Sequence, residues 1–309
     1  MPPTTDSIRA FLDYLSHEAA ASPLTIETYQ SDLRSFTAYA EERLGEPLVP
    51  SEGDLDLVRG WLSVKLDEGL KASTVGRCLT SVRSFYRHLL KTGQIKRNPI
   101  QALRPPKAAR PLPVYVPTED MEQMLSEEVD PTDWRAVRDH LILTMLYECG
   151  LRRSEIAGLR DQAVDTTERQ LKVLGKGRKE RIVPFGKGLA EEIEAWRHLR
   201  TSIFGTTESF FVSSKGTPMA PRAVYQVAHT ALANVPNLSR RGAHVLRHTF
   251  ATDMLNSGAD LMLLRELMGH SSVSTTVRYT HTSFEQLKKL YAAHPRAART
   301  PRDDRSDGD

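Results

Sequence analysis

The sequence predicts a mainly helical protein of the α+β class: an N-terminal helical bundle, then a second helical domain with a small antiparallel β-sheet. Three observations lead there. Apolar residues recur at helical spacing through most of the 309 residues. A proline-rich stretch separates two such periodic regions. Within the second region, one short segment turns strand-like around Gly175-Lys176-Gly177.

The elements follow in order. Ile8, Phe11, Leu12 and Leu15 form one apolar stripe and predict a first helix. Ser22-Pro23 opens a second, because proline is tolerated in a first helical turn; Ile26, Tyr29, Leu33 and Phe36 are its inner face. Leu57, Trp61 and Leu62 mark a third. Ser73 is read as the N-cap of a fourth, with Val75, Leu79, Val82, Phe85, Tyr86 and Leu89 inside and Gly93 as its stop. Pro99, Pro105, Pro106, Pro111, Pro113 and Pro117 then disfavour helix at the residues before them, so an extended linker is expected. Beyond it, helical patterns fall at 118–128, 134–148, 153–160, 187–200, 220–234, 244–256 and 260–268, with a last one from about Ser283. Leu171, Val173, Ile182 and Val183 predict a hairpin, and Phe210-Phe211-Val212 a third short strand. The closing RTPRDDRSDGD offers nothing apolar to bury and is expected to be disordered.

Composition excludes several classes. Hydrophobic residues at 39% and charged residues at 26% are those of a globular chain. Cys78 and Cys149 cannot build a disulfide framework or a zinc knuckle, and read as buried residues of a reducing, cytoplasmic protein. The N-terminus lacks the pattern of a signal peptide, and the longest apolar stretch, Leu141 to Leu146, is too short to cross a membrane. A net charge of +3 makes no case for a polyanion by itself, but its distribution does. Arg83, Arg87, Lys91, Lys96, Arg97, Arg104, Lys107 and Arg110 occur in a span without an acid. Lys172, Lys176, Arg178, Lys179 and Arg181 crowd the hairpin, and Arg240, Arg241 and Arg247 form a third cluster. Three such runs point to a polyanion partner.

The residues with chemistry gather late in the chain. His244 and Arg247 are three apart and share a helix face; His270 follows Gly269 at a helix end; Tyr279 lies nine residues further, beyond a Ser/Thr-rich turn. Upstream, Arg152 sits between two helices in GLRRSE, and Lys176 sits at the hairpin tip. His244 and His248 at helical spacing invite a zinc reading, but no third ligand is evident. Tyr291 is a competing tyrosine better suited to a helix stripe.

The ordered set GLRRSE, GKGRKER, HVLRHTFAT, LMGHSSVSTTVRYTH and FEQLKKLYAAHPRA resembles the tyrosine site-specific recombinases, and most closely the bacterial Xer recombinases that act on chromosome dimers. The resemblance runs over nearly the whole chain and fails only in about the last dozen residues. It implies a DNA-clasping helical domain over 1–92, a basic linker over 93–113, a catalytic domain over 114–296 and a free tail over 297–309. It also implies six roles. Arg152 and Arg247 hold the scissile phosphate, Lys176 protonates the leaving 5′ oxygen, His244 and His270 assist proton transfer and phosphate binding, and Tyr279 forms a 3′-phosphotyrosyl bond. No cofactor or metal is implied. The implied partners are double-stranded DNA with a dif-type site, a second Xer-type recombinase in a tetramer, and an FtsK-type DNA translocase. Phe284, Leu287, Leu290 and Tyr291 would pack either on their own domain or into a neighbouring subunit. An integrase of a mobile element, a nick-and-seal enzyme and a non-catalytic DNA-binding protein are the alternatives.

The chemistry suits those residue types. Guanidinium forks bind non-bridging phosphate oxygens bidentately and stabilise charge that grows in the transition state. A tyrosine hydroxyl, with a pKa near ~10, needs cations or a base beside it to attack at neutral pH. A lysine suits protonation of a departing alkoxide.

Overall fold

The computed structural model describes residues 4–19, 21–107, 114–175, 180–269, 289–292 and 294–297. It divides into two compact units, residues 1–111 and 112–309.

The first unit is all helical: α1 (Thr4–His17), α2 (Pro23–Leu44), α3 (Leu55–Asp67) and α4 (Ala72–Lys91). Ser22 caps α2 as its sequence predicts, accepting from the Thr25 amide at 3.2 Å. α4 begins one residue before Ser73 instead of after it, with Lys71 in the cap position and no side-chain cap bond. A cap is worth only about 1 kcal/mol, and the core set by Val75, Leu79, Val82, Phe85 and Leu89 decides where this helix runs. Phe11, Leu33, Phe36, Val58 and Trp61 fill the rest of that core. Two buried carboxylates tie the helices together: Asp32 accepts from Arg77 and Ser81, and Asp54 from Ser51 and Tyr86. The start of the proline-rich stretch is not simply extended. Asn98 accepts from the Ile100 amide at 2.9 Å, Ile95 and Ile100 are buried in the first core, and Arg83 donates to the Ile100 and Leu103 carbonyls.

The second unit is mixed. It comprises α5 (Thr118–Ser126), α6 (Trp134–Glu148), α7 (Arg153–Ala157), β1 (Val164–Asp165), β2 (Gln170–Leu174), β3 (Glu180–Pro184), α8 (Lys187–Phe204), α9 (Pro221–Ala231), α10 (Ala243–Asn256) and α11 (Leu261–Leu267). The last eight residues of α6, from Leu141 to Glu148, are all buried, and the helix packs against α8, α9 and α10. It is the unit's central helix, buried on every side over that stretch. The sheet is antiparallel in the order β1-β2-β3, with Leu171 opposite Val183 and Val173 opposite Arg181. Its third strand is Val164–Asp165, which corrects the expectation for Phe210–Val212. Phe210, Phe211 and Val212 are all fully buried, without the alternation of a sheet surface, and Val212 makes only an isolated bridge to Pro218. Leu290 and Tyr291 are buried in the core of this same unit, whereas Phe284 and Leu287 lie outside the described residues.

Each unit buries a histidine. His88, 8% exposed, lies against Phe11 and Tyr14; His294, 3% exposed, lies among Tyr147, Phe250 and Tyr291. Burial, and then Lys91, lowers the His88 pKa; burial, and then Arg296, pushes that of His294 down to about 3. A histidine whose folded pKa is depressed adds stability above its unfolded pKa, and that stability is lost as pH falls below it. Acidification from pH 7 to 5 is therefore expected to cost the second unit about 1–2 kcal/mol through His294. Urea denaturation at both pH values, with His294→Gln as the variant whose stability changes less, checks this; equal slopes would remove His294 as the cause.

Candidate active site

The site forms where the end of α6, the start of α7, strand β3 and helices α10 and α11 meet. α6 stops at Cys149, and Gly150 follows with φ +57, in the left-handed region that glycine favours. A side chain at Gly150 would overlap the Phe250 ring, so chain direction and packing both require glycine. The turn buries Leu151 and brings Arg152 to the N-cap of α7.

Glu155 is the hub. It is 7% exposed, and three guanidinium groups surround it. Arg181 grips it with both η nitrogens, at 2.8 and 2.9 Å. Arg152 donates its Nη1 to Oε1 at 2.7 Å and its backbone amide to Oε2 at 2.8 Å. Arg247 Nη1 lies 3.9 Å from Oε2. Burial alone would raise the Glu155 pKa; the hydrogen bonds and charge of Arg181, followed by those of Arg152, outweigh it and hold the carboxyl below its ordinary value.

The same three arginines bind three successive carbonyls at the end of α11. Arg181 Nε donates to Leu267 at 2.7 Å, Arg247 Nη2 to Met268, and Arg152 Nη2 to Gly269 at 2.9 Å. Arg247 Nη1 also donates to the Gly150 carbonyl. Carbonyls at a helix C-terminus carry the negative end of its dipole and suit cations. Arg247 is nonetheless under electrostatic pressure: burial, and then the charges of Arg152 and Arg181, lower its pKa, with Glu155 opposing. Three cations face one carboxylate, so the cluster has positive charge to spare for an anion.

His244 stands in the first turn of α10, exposed, with its ring edge-on to His248 at 4.5 Å. Partial desolvation of the ring by its surroundings, and then His248, Arg247, Arg152 and Arg240, lower its pKa, so the imidazole is neutral at neutral pH and can accept a proton. Arg152, Arg247 and His244 are thus brought to one site. Lys176, His270 and Tyr279 lie outside the described residues. Tyr291 is buried and donates to Glu148 at 3.3 Å, and burial raises its pKa far above the usual value, so it is no rival nucleophile. Among the described residues no group of His, Cys, Asp or Glu is arranged to hold a metal ion.

Two residues of the site carry more than their sequence reading gave them. Arg181 counted as part of a basic run, yet it is 4% exposed. The signal was available: Arg181 is two residues before Val183 on a strand, so it shares the inner face of that buried valine. Glu155 stood only as the last residue of GLRRSE, and an acid three residues after the cap does reach back to the cap amide. That it also serves three arginines depends on elements far apart in sequence. Of the basic runs, Arg87, Lys91, Lys96, Arg97, Arg104, Lys107, Lys172, Arg240 and Arg241 remain exposed.

Residues 115–286 match the phage integrase family and residues 8–93 the phage integrase N-terminal SAM-like domain. The chain belongs to the phage integrase family. Phage integrase family members of this kind are tyrosine recombinases, and the chain is a DNA breakage-and-rejoining enzyme. It is 37% identical over 303 residues to the tyrosine recombinase XerC of Pelobacter propionicus, covering 97% of this chain and 99% of that one. To XerC of Haemophilus influenzae it is 36% identical over 298 residues, covering 95% and 98%. Among solved structures, the XerH site-specific recombinase bound to a palindromic difH substrate matches with a TM-score of 0.68 at 22% identity, covering 88% of this chain and 80% of that one. The Tn1549 transposon integrase with transposon right-end DNA matches at 0.66 and 18% identity, covering 93% and 99%. These two likenesses show a common fold. No helix among the described residues is long and apolar enough to cross a membrane.

Proposed function

We propose that this XerC-like recombinase cuts and rejoins double-stranded DNA at dif-type sites, with Tyr279 as nucleophile, and resolves chromosome dimers in the cytoplasm at cell division. The supporting observation is the arginine cluster, in which Arg152, Arg181 and Arg247 share the single carboxylate of Glu155. A phosphodiester carries about one negative charge and gains roughly a second as a phenolate adds to phosphorus. A cluster with two positive charges in excess matches that change. Arg152 keeps its side chain 33% exposed, and Arg152 and Arg247 act on the non-bridging oxygens. Arg181, buried and bound on both edges, holds Glu155 in place.

The remaining roles follow from chemistry and from the motif positions. The Tyr279 phenol attacks, and its proton passes to an imidazole, that of His244 or His270. Lys176 gives a proton to the departing 5′ oxygen. The bond energy stays in the phosphotyrosyl ester, so rejoining by a 5′ hydroxyl requires no nucleotide cofactor. Residues 1–92 clasp the duplex, 93–113 link and 114–296 cleave. Four protomers, some of them a second Xer-type recombinase, exchange strands through a Holliday junction, and an FtsK-type translocase brings the sites together.

A dif-type duplex nicked beside the scissile phosphate tests the reading. Wild type is expected to form a covalent protein–DNA adduct that survives denaturing electrophoresis, and Tyr279→Phe none. An adduct with the phenylalanine variant would overturn the assignment of the nucleophile, and no adduct with wild type would overturn the dif-type substrate.

A further inference from the structure

Every acceptor position of Glu155 is filled. A carboxylate offers about four, two on each oxygen. On Oε1 they are taken by Arg152 Nη1 at 2.7 Å and Arg181 Nη1 at 2.8 Å. On Oε2 they are taken by the Arg152 amide at 2.8 Å and Arg181 Nη2 at 2.9 Å. Arg247 Nη1 stops 3.9 Å from Oε2, beyond hydrogen-bond reach, and donates to the Gly150 carbonyl instead. The Arg247 and Glu155 side chains are each 3% exposed, so little water screens the attraction between them.

Arg181 lies on the buried face of β3 with Val183, and its donors all point inward: both η nitrogens to Glu155, and Nε to the Leu267 carbonyl at 2.7 Å. A side chain at that depth acts on DNA only through its neighbours. An apolar residue would hold β3 to the core as well as a buried ion pair does, so stability does not explain a guanidinium here. Its effect on Arg247 does. Without Arg181 each oxygen of Glu155 loses one donor. Arg247 Nη1 would then need to close only about 1 Å to fill the vacancy on Oε2. That movement would draw the fork off the Gly150 carbonyl and neutralise it against the protein's own acid.

We propose that Arg181 is a positioning residue for cleavage: it saturates Glu155, so that the carboxylate cannot capture Arg247, and Arg247 stays available to the scissile phosphate. The proposal rests on Arg152 and Arg247 binding that phosphate. Three cations and one carboxylate leave two positive charges to face it. Without Arg181 one is left. Without both Arg181 and Glu155 two are left again. Removal of the acid should therefore repair the loss of the arginine.

The test is a single-turnover series on the dif-type nicked duplex that wild type cleaves, with DNA affinity and thermal melting measured on the same proteins. Arg181→Met is expected to slow adduct formation on the order of 100-fold, the effect of a group displaced by about 1 Å. Affinity, spread over many phosphate contacts, should fall less than about threefold. Arg181→Met combined with Glu155→Gln, where the glutamine can still cap α7, is expected to return the rate to within about tenfold of wild type. The pH profile separates this from damage to the fold. Burial raises the Glu155 pKa and Arg181 does most to hold it down, so in the single variant the carboxyl takes up its proton at a higher pH. A neutral carboxyl releases Arg247, and the deficit relative to wild type should shrink as pH falls from about 7.5 to about 5.5. A single variant that cleaves like wild type overturns the proposal, and so does a deficit that stays constant with pH. A double variant that is as slow as the single one, or that does not fold, also overturns it and makes Arg181 a structural tie. If the single variant does not fold, the rate of the double variant decides alone. Arg247→Lys runs in parallel: if it cleaves at the wild-type rate, the phosphate assignment fails, independently of Arg181.

Discussion

Arg247→Lys is expected to lower adduct formation on the nicked duplex by about 10²–10³-fold, with DNA affinity reduced far less. The substitution keeps the positive charge and removes the fork. In the unbound enzyme that fork is already engaged, Nη1 on the Gly150 carbonyl and Nη2 on the Met268 carbonyl. These bonds fix the guanidinium plane before DNA arrives, so no reorganisation is needed when charge builds on phosphorus. An ammonium has three rotatable donors around a point charge, lacks the planar fork and cannot hold that plane. Affinity depends instead on many phosphate contacts, to which the exposed Arg87, Lys96, Arg97, Arg104 and Lys107 are suited. Single-turnover cleavage and salt-dependent binding on the same duplex separate the two. A lysine variant that cleaves at the wild-type rate would show that the fork is dispensable.

Much of the helical architecture was legible because helix period, caps and prolines agree with one another. Ser22-Pro23 starts α2 where expected, and Ile8, Phe11 and Leu15 fall on one face of α1. Sequence pattern failed where tertiary packing overrides a local preference. Phe210 and Phe211 have the composition of a strand, but full burial of both rings leaves no sheet face to present. The third strand, Val164–Asp165, is only two residues long and carries no periodic signal. Ser73 is a good cap residue placed one position inside its helix.

The candidate site divides along the same line. His244 and Arg247 share a helix face by spacing, and Arg152 follows a glycine stop, so each was readable locally. The links among them were not: Glu155 meets Arg181 from a strand and Arg247 from α10, and three carbonyls of α11 complete the set. Linear spacing carries no record of that convergence. Arg181 shows how charge misleads when counted without a face, since β3 alternates, with Glu180 exposed and Arg181 and Val183 buried.

Glu155→Gln should therefore act more broadly than its position off the substrate implies. Three guanidiniums would then share a neutral amide that itself bears two donors, and the carboxylate that neutralised them would be gone. Removing one partner of a buried charge cluster costs about 3–5 kcal/mol, so the catalytic unit is expected to lose that much in urea denaturation at pH 7. The pH dependence has a definite sign. The folded pKa of Glu155 lies below its usual value of 4.5, so its contribution is present above that pH and lost as pH falls through the folded value. The glutamine variant should lack this component of acid destabilisation below about pH 4.5. Sulfate or phosphate should restore part of the variant's stability and stabilise wild type less, because an anion entering the cluster takes over the charge of the missing carboxylate. A glutamine variant that melts like wild type, and gains no more from sulfate, would mean that the carbonyls of Leu267, Met268 and Gly269 hold the arginines without the acid.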